Sequence, residues 1–130
     1  MNHTEFNIWS KEEALHKWFN KAVPGLKFYR AASVPLSAQP PYGTYTAVTG
    51  AFPDEQMAIT VNLWFPGESE ESPDKAAQAL SDAIGRGGAR FWCRDGIIWL
   101  TRGSPWCQSI ADSEFKRRYI NITAEFLTHR

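Results

Sequence analysis

The 130-residue sequence predicts a single α+β domain, a mostly antiparallel sheet with two helices packed on one face. Three observations lead there. Only two segments carry capped helical periodicity, and no alternating strand-helix-strand order points to a doubly wound parallel sheet. Two long segments alternate strictly: Met57, Ile59, Val61, Leu63 and Phe65 share one strand face, as do Arg118, Ile120, Ile122, Ala124 and Phe126. The length suits one domain of about 100–200 residues with one core, and there are no internal repeats, heptads or low-complexity tracts.

The first helix is signalled by Ser10 as N-cap and Glu13 completing a capping box, with Leu15, Trp18, Phe19 and Ala22 at helical spacing. Pro24-Gly25 ends it, and Lys11, Glu12, Lys17 and Lys21 form its solvent side. Phe28 and Tyr29 mark a short strand. Residues 33–41 hold three prolines and no periodicity, which predicts a loop long enough to be a binding segment. Residues 42–52 and 56–65 then read as a hairpin turning at Pro53-Asp54-Glu55, with the odd-numbered residues of the second strand facing the core. After an acidic loop, the second helix is expected to start with Ser72 as N-cap and Pro73 at its first position. Ala76, Leu80, Ala83 and Ile84 are its apolar stripe, and Gly85 or Gly87 its stop. Residues 90–93 and 97–102 form a hairpin around Arg94-Asp95-Gly96, because Asp-Gly is a strong turn signal. The closing strand, residues 115–127, begins with the basic triplet Lys116-Arg117-Arg118.

Fourteen basic residues balance fourteen acidic ones, so the molecule as a whole has no strong field for polyanions. The distribution is uneven. Residues 1–75 carry six basic and nine acidic side chains, and residues 76–130 carry eight and five, an electrically two-sided chain. No apolar run approaches the roughly 18 residues of a membrane span, and Glu5 and Asn7 stand where a signal peptide needs an apolar stretch; the chain is expected to stay inside the cell, away from membranes. Cys93 and Cys107 lie outside any CxxC spacing and are expected to be reduced, buried thiols.

Signals for catalysis are weak. His3 and His129 lie near the ends and His16 is expected on the surface of the first helix, so a histidine-centred triad lacks a base. Asp54-Glu55 and Glu68, Glu70, Glu71 lack the alternating ligands and central glycine of a calcium loop and read as solvated turns. Gly85-Arg-Gly-Gly88 lacks the lysine of a phosphate loop, and Cys107 has no neighbouring activating base. Arg86, Arg90, Arg94, Arg102 and the basic triplet, interleaved with Trp92, Trp99, Trp106 and Tyr119, compose like a nucleic-acid surface, but strand alternation scatters them over both faces. Subunit contacts, plain solvated charge and direct DNA contact all account for them. Trp64 and Trp99 are expected to pack in the core or on the sheet.

Four stretches carry a family resemblance: Pro40-Pro41-Tyr42-Gly43-Thr44-Tyr45, Val61-Asn62-Leu63-Trp64-Phe65, Asp95-Gly96-Ile97-Ile98-Trp99-Leu100 and Lys116-Arg117-Arg118-Tyr119-Ile120-Asn121-Ile122. In order, spacing and total length they resemble the small tail terminator (tail completion, neck) proteins of long-tailed bacteriophages and prophages. The resemblance implies an α+β subunit that assembles into a ring, typically a hexamer, on the end of the tail tube. There it stops tube polymerisation and offers the surface to which the filled head attaches, without cofactor or turnover. It implies as partners further copies of the chain, the major tail tube protein and a head-completion or connector protein, with DNA only passing through the ring without sequence preference. The implied location is the bacterial cytoplasm during assembly and then the neck of the virion. Subunit or tube contacts are expected on Pro40, Pro41 and Tyr42, on Glu68, Glu70 and Glu71, on Lys116, Arg117 and Arg118, and on Arg94 and Arg102. Two other classes stay open: a small module that binds a protein or ligand through an aromatic groove, and a weak nucleic-acid-binding module.

Overall fold

The computed structural model describes residues 9–46, 56–67, 69–94 and 96–128. Helix α1, Lys11–Ala22, starts as its sequence dictates: the Glu13 amide donates to Ser10 Oγ and the Ser10 amide to Glu13 Oε1, both at 3.2 Å, a complete capping box. Strand β1, Lys27–Arg30, passes through one turn of 3₁₀ helix, Ala31–Ser33, into the proline-rich loop, and β2, Tyr42–Tyr45, follows. The remainder of the expected strand over residues 42–52, and its turn, lie outside the described residues. Next come β3, Gln56–Phe65, helix α2, Glu71–Ile84, then β4, Ala89–Cys93, β5, Gly96–Ile110, and β6, Lys116–Thr128.

The six strands form one curled mixed sheet in the order β1-β2-β3-β6-β5-β4. All pairings are antiparallel except β1 with β2, which are parallel. The longest register joins β3 to β6, Ile59 against Ile122 and Leu63 against Arg118, and it fixes which side chains point inward. Ile59, Val61, Leu63 and Phe65 of β3, and Arg118, Ile120, Ile122, Ala124 and Phe126 of β6, are all buried, as strict alternation requires. Leu15 and Phe19 of α1 and Ala76, Ala77, Leu80 and Ile84 of α2 join them in a single core, so both helices pack against this face. At its centre Phe19 stacks on Tyr45 and Phe28 with ring centroids 4.5 and 5.2 Å apart.

Three sequence expectations are corrected. Helix α2 begins two residues early: Glu70 is its N-cap, the Ser69 hydroxyl accepts from the Glu71 amide at 3.2 Å, and Pro73 sits within the first turn. The proline costs nothing there, because the first amides of a helix have no intrahelical acceptor. On the same helix Ala83 is exposed and Ala77 takes its place in the core. Strand β5 does not stop near Arg102 but runs on to Ile110 through a bulge. Arg102 pairs with Ile122 and Cys107 with Ile120, so four residues of β5 stand against Asn121 alone. Pro105 lies in that bulge, where no ladder amide is needed, and its carbonyl accepts from Asn121 Nδ2 at 2.9 Å. Cys93 is buried and Cys107 half-buried; both are free thiols, and burial raises the Cys107 pKa. Among the described residues no helix is long and apolar enough to cross a membrane.

Candidate functional site

The acidic loop and the basic strand start meet each other within the chain. Alternation along β6 turns Arg118 inward, beneath the first turn of α2, where only 3 % of it is exposed. Its guanidinium donates to Asp74 Oδ1, from Nε at 3.2 Å and Nη2 at 2.9 Å, and to Glu70 Oε1. Lys116 Nζ lies 2.7 Å from Glu70 Oε2. Hydrogen bonds from Lys116 and then Arg118 hold the Glu70 carboxyl below its ordinary pKa. Glu71 pairs instead with Lys75, four residues along the exposed face of α2, at 3.0 Å. Three residues expected to face a neighbouring subunit, Glu70, Lys116 and Arg118, are therefore engaged with one another. Glu68 lies outside the described residues.

Arg117, the middle of the triplet, points the other way, onto the face of the sheet opposite the two described helices. Its Nε donates to Asn62 Oδ1 at 2.9 Å, and its guanidinium lies 4.7 Å from the centroid of Trp64. Trp64 in turn donates from Nε1 to Thr44 Oγ1 at 3.2 Å and meets the edge of Phe115 at 5.9 Å. Toward the far edge, Arg90 lies 4.6 Å over Trp99, whose Nε1 donates to the Gly87 carbonyl at 3.0 Å. At the near edge Lys27 lies over Tyr29, which packs against Tyr42. Trp64 and Trp99 thus pack on the sheet, half-buried, within the expectation of core or sheet packing.

The remaining expected residues fall elsewhere. Arg102 is largely exposed and donates from Nη1 to Ser81 Oγ of α2 at 2.8 Å. The Arg94 amide donates to the Trp9 carbonyl at 2.7 Å. Pro40 and Pro41 close the proline-rich loop, which carries Leu36 wholly in solvent. Pro41 also lines a hollow of about 340 Å³ between the end of α1 and the start of α2, whose walls include Leu26, Phe65, Ala76 and Ala79.

His16 corrects the sequence reading. It is half-buried, and its Nδ1 lies 2.8 Å from the Tyr45 hydroxyl in a hollow lined by Glu13, Tyr29, Arg30 and Ser33. Burial, followed by the nearby charges of Arg30, Lys17 and Lys27, lowers its pKa. Asn20, one turn further along α1, accepts from the Phe28 amide at 2.9 Å and ties β1 to the helix. The i, i+4 pair of polar residues flanking an aromatic stripe was the available signal for this contact.

The fold and these surfaces define a single-domain α+β protein whose two described helices lie on one side of a curled mixed sheet. No family model, curated protein or solved structure matches the chain.

Proposed function

We propose that this chain is a non-enzymatic structural subunit of a phage or prophage tail, a terminator that assembles as a ring on the tail tube and presents the surface for head joining. The sequence resemblance supplies the identity of the assembly. The observation that supports assembly is Leu36, whose side chain is wholly exposed on an uncharged, proline-framed loop, at 106 % of its reference area. A large apolar side chain held in water by a proline-braced loop gains about 1.5–3 kcal/mol when covered, and a neighbouring copy would cover it. The apolar hollow beside Pro41 offers a second, different surface, and a closed ring needs two unlike surfaces on each subunit. In this reading the engaged triad of Glu70, Lys116 and Arg118 serves the fold, while Leu36, Pro40, Pro41 and Tyr42 remain as contacts to neighbours or tube.

Electron microscopy of the purified protein mixed with tail tubes tests the proposal. Rings seated at one tube end support it; well-folded protein that leaves both tube ends bare overturns it.

A further inference from the structure

We infer that the face of the sheet opposite the two described helices binds single-stranded nucleic acid, with Arg117 on Trp64 and Arg90 on Trp99 as its two principal contact points. The inference does not depend on ring assembly; it stands on this face alone.

Charge selects the class of partner. The described strands direct Lys27, Arg90 and Arg117 to this face against one carboxylate, Glu125, although the chain as a whole is neutral. Among the described residues neither Arg90 nor Arg117 forms an ion pair, in contrast to Arg118 and Lys116 on the other side. A guanidinium held over an indole ring still has N–H groups for other acceptors. Among the described residues Arg117 commits only Nε, to Asn62, and the rest of its fork is available to a phosphate.

Aromatic character selects single strands over duplex. Between the two tryptophans, β6 presents Tyr119, half-buried, on the same face. The Tyr119 ring and the two guanidinium groups backed by indoles suit unpaired bases, which stack on rings and guanidinium groups without sequence preference while the backbone follows the charges; a duplex offers only its phosphates to such a surface. The register sets the length of the track. Trp64 pairs with Arg117 and Trp99 with Glu125, eight residues apart on β6, or about 27 Å along the strand. Glu125 stands beside Trp99 as the one carboxylate that the described strands place on this face.

Fluorescence anisotropy with a labelled oligothymidylate of about 16 nucleotides, and with a duplex of equal length, tests this between about 50 and 200 mM salt. The single strand is expected to bind more tightly than the duplex, with affinity falling as salt rises. The pair Arg90→Gln and Arg117→Gln is expected to reduce the slope of log affinity against log salt by about 1.4, two phosphate contacts at about 0.7 each. Arg90→Lys with Arg117→Lys keeps the slope, and Glu125→Gln tightens binding. Circular dichroism confirms that each variant is folded. Failure of the folded protein to bind at the lowest salt, equal affinity for duplex, or an unchanged slope in the glutamine pair each overturns the inference.

Discussion

Arg118 Nη2 stands 2.9 Å from Asp74 Oδ1, and this contact closes the start of α2 onto the start of β6. The arginine is buried while both of its carboxylate partners are largely exposed, so the ion pairs cap a packed side chain. Arg118→Ala is expected to destabilise the protein by about 1.5–3 kcal/mol for the lost charged hydrogen bonds, with a further loss from the vacated space. Arg118→Met fills that space and lets Glu70 and Asp74 return to water, and is expected to recover part of the difference. Urea unfolding midpoints of the two variants check this; equal losses would mean that the charge, not the packing, holds the joint.

Acid should loosen the molecule in two stages. The His16 pKa is lowered by burial and by Arg30, Lys17 and Lys27, so the folded state favours the neutral ring. Stability associated with this group is therefore full above the ordinary histidine pKa of 6.5 and is lost as pH falls through the lower folded value. The Glu70 pKa is lowered by Lys116 and Arg118, so its contribution is full above the ordinary value of 4.5 and is lost below it. Thermal melts across this range are expected to show both declines. His16→Gln should remove the first and Glu70→Gln the second.

Gly43 fixes the packing of the parallel edge. A Cβ at this position would lie 2.5 and 2.6 Å from the Cε2 and Cδ2 atoms of Phe28, which is fully buried and stacked against Phe19. Neither ring can move without disturbing the centre of the core. Gly43→Ala is expected to cost about 1–3 kcal/mol, the range for overpacking. Ile59→Ala or Leu63→Ala, which create cavities instead, should cost about 2–5 kcal/mol. Chemical denaturation would order the three; a neutral Gly43→Ala would show that the edge strand can shift to admit the methyl group.

The long strands and the first helix were legible because each is specified by its own residues: Ser10 with Glu13, and the alternation from Ile59 to Phe65 and from Arg118 to Phe126. What was not legible depends on residues distant in sequence. Arg118 and Glu70 are 48 positions apart, and nothing local to either indicates that they meet. Pro105 reads as the end of a strand until Asn121, across the ladder, receives the bulge. The parallel pairing of β1 with β2 leaves no local pattern in four-residue strands. The basic triplet was visible, but its division depended on which side of the sheet the two described helices take: Arg118 goes under α2 and Arg117 onto the opposite face.

Leu36 gives assembly a test that folding does not confound. Its side chain has no cover within the chain, so Leu36→Glu removes no buried contact and should leave the unfolding midpoint within about 0.5 kcal/mol of the parent. If a neighbouring copy or the tube covers this residue, burying a carboxylate there without a partner opposes association strongly. Sedimentation of the isolated protein and counting of capped tube ends should then both shift toward the unassembled state, while thermal melts stay the same. Arg118→Glu would be a poor substitute, because it breaks the joint between α2 and β6 and reports on folding instead. Unchanged capping by folded Leu36→Glu protein would remove the proline-rich loop from the subunit interface.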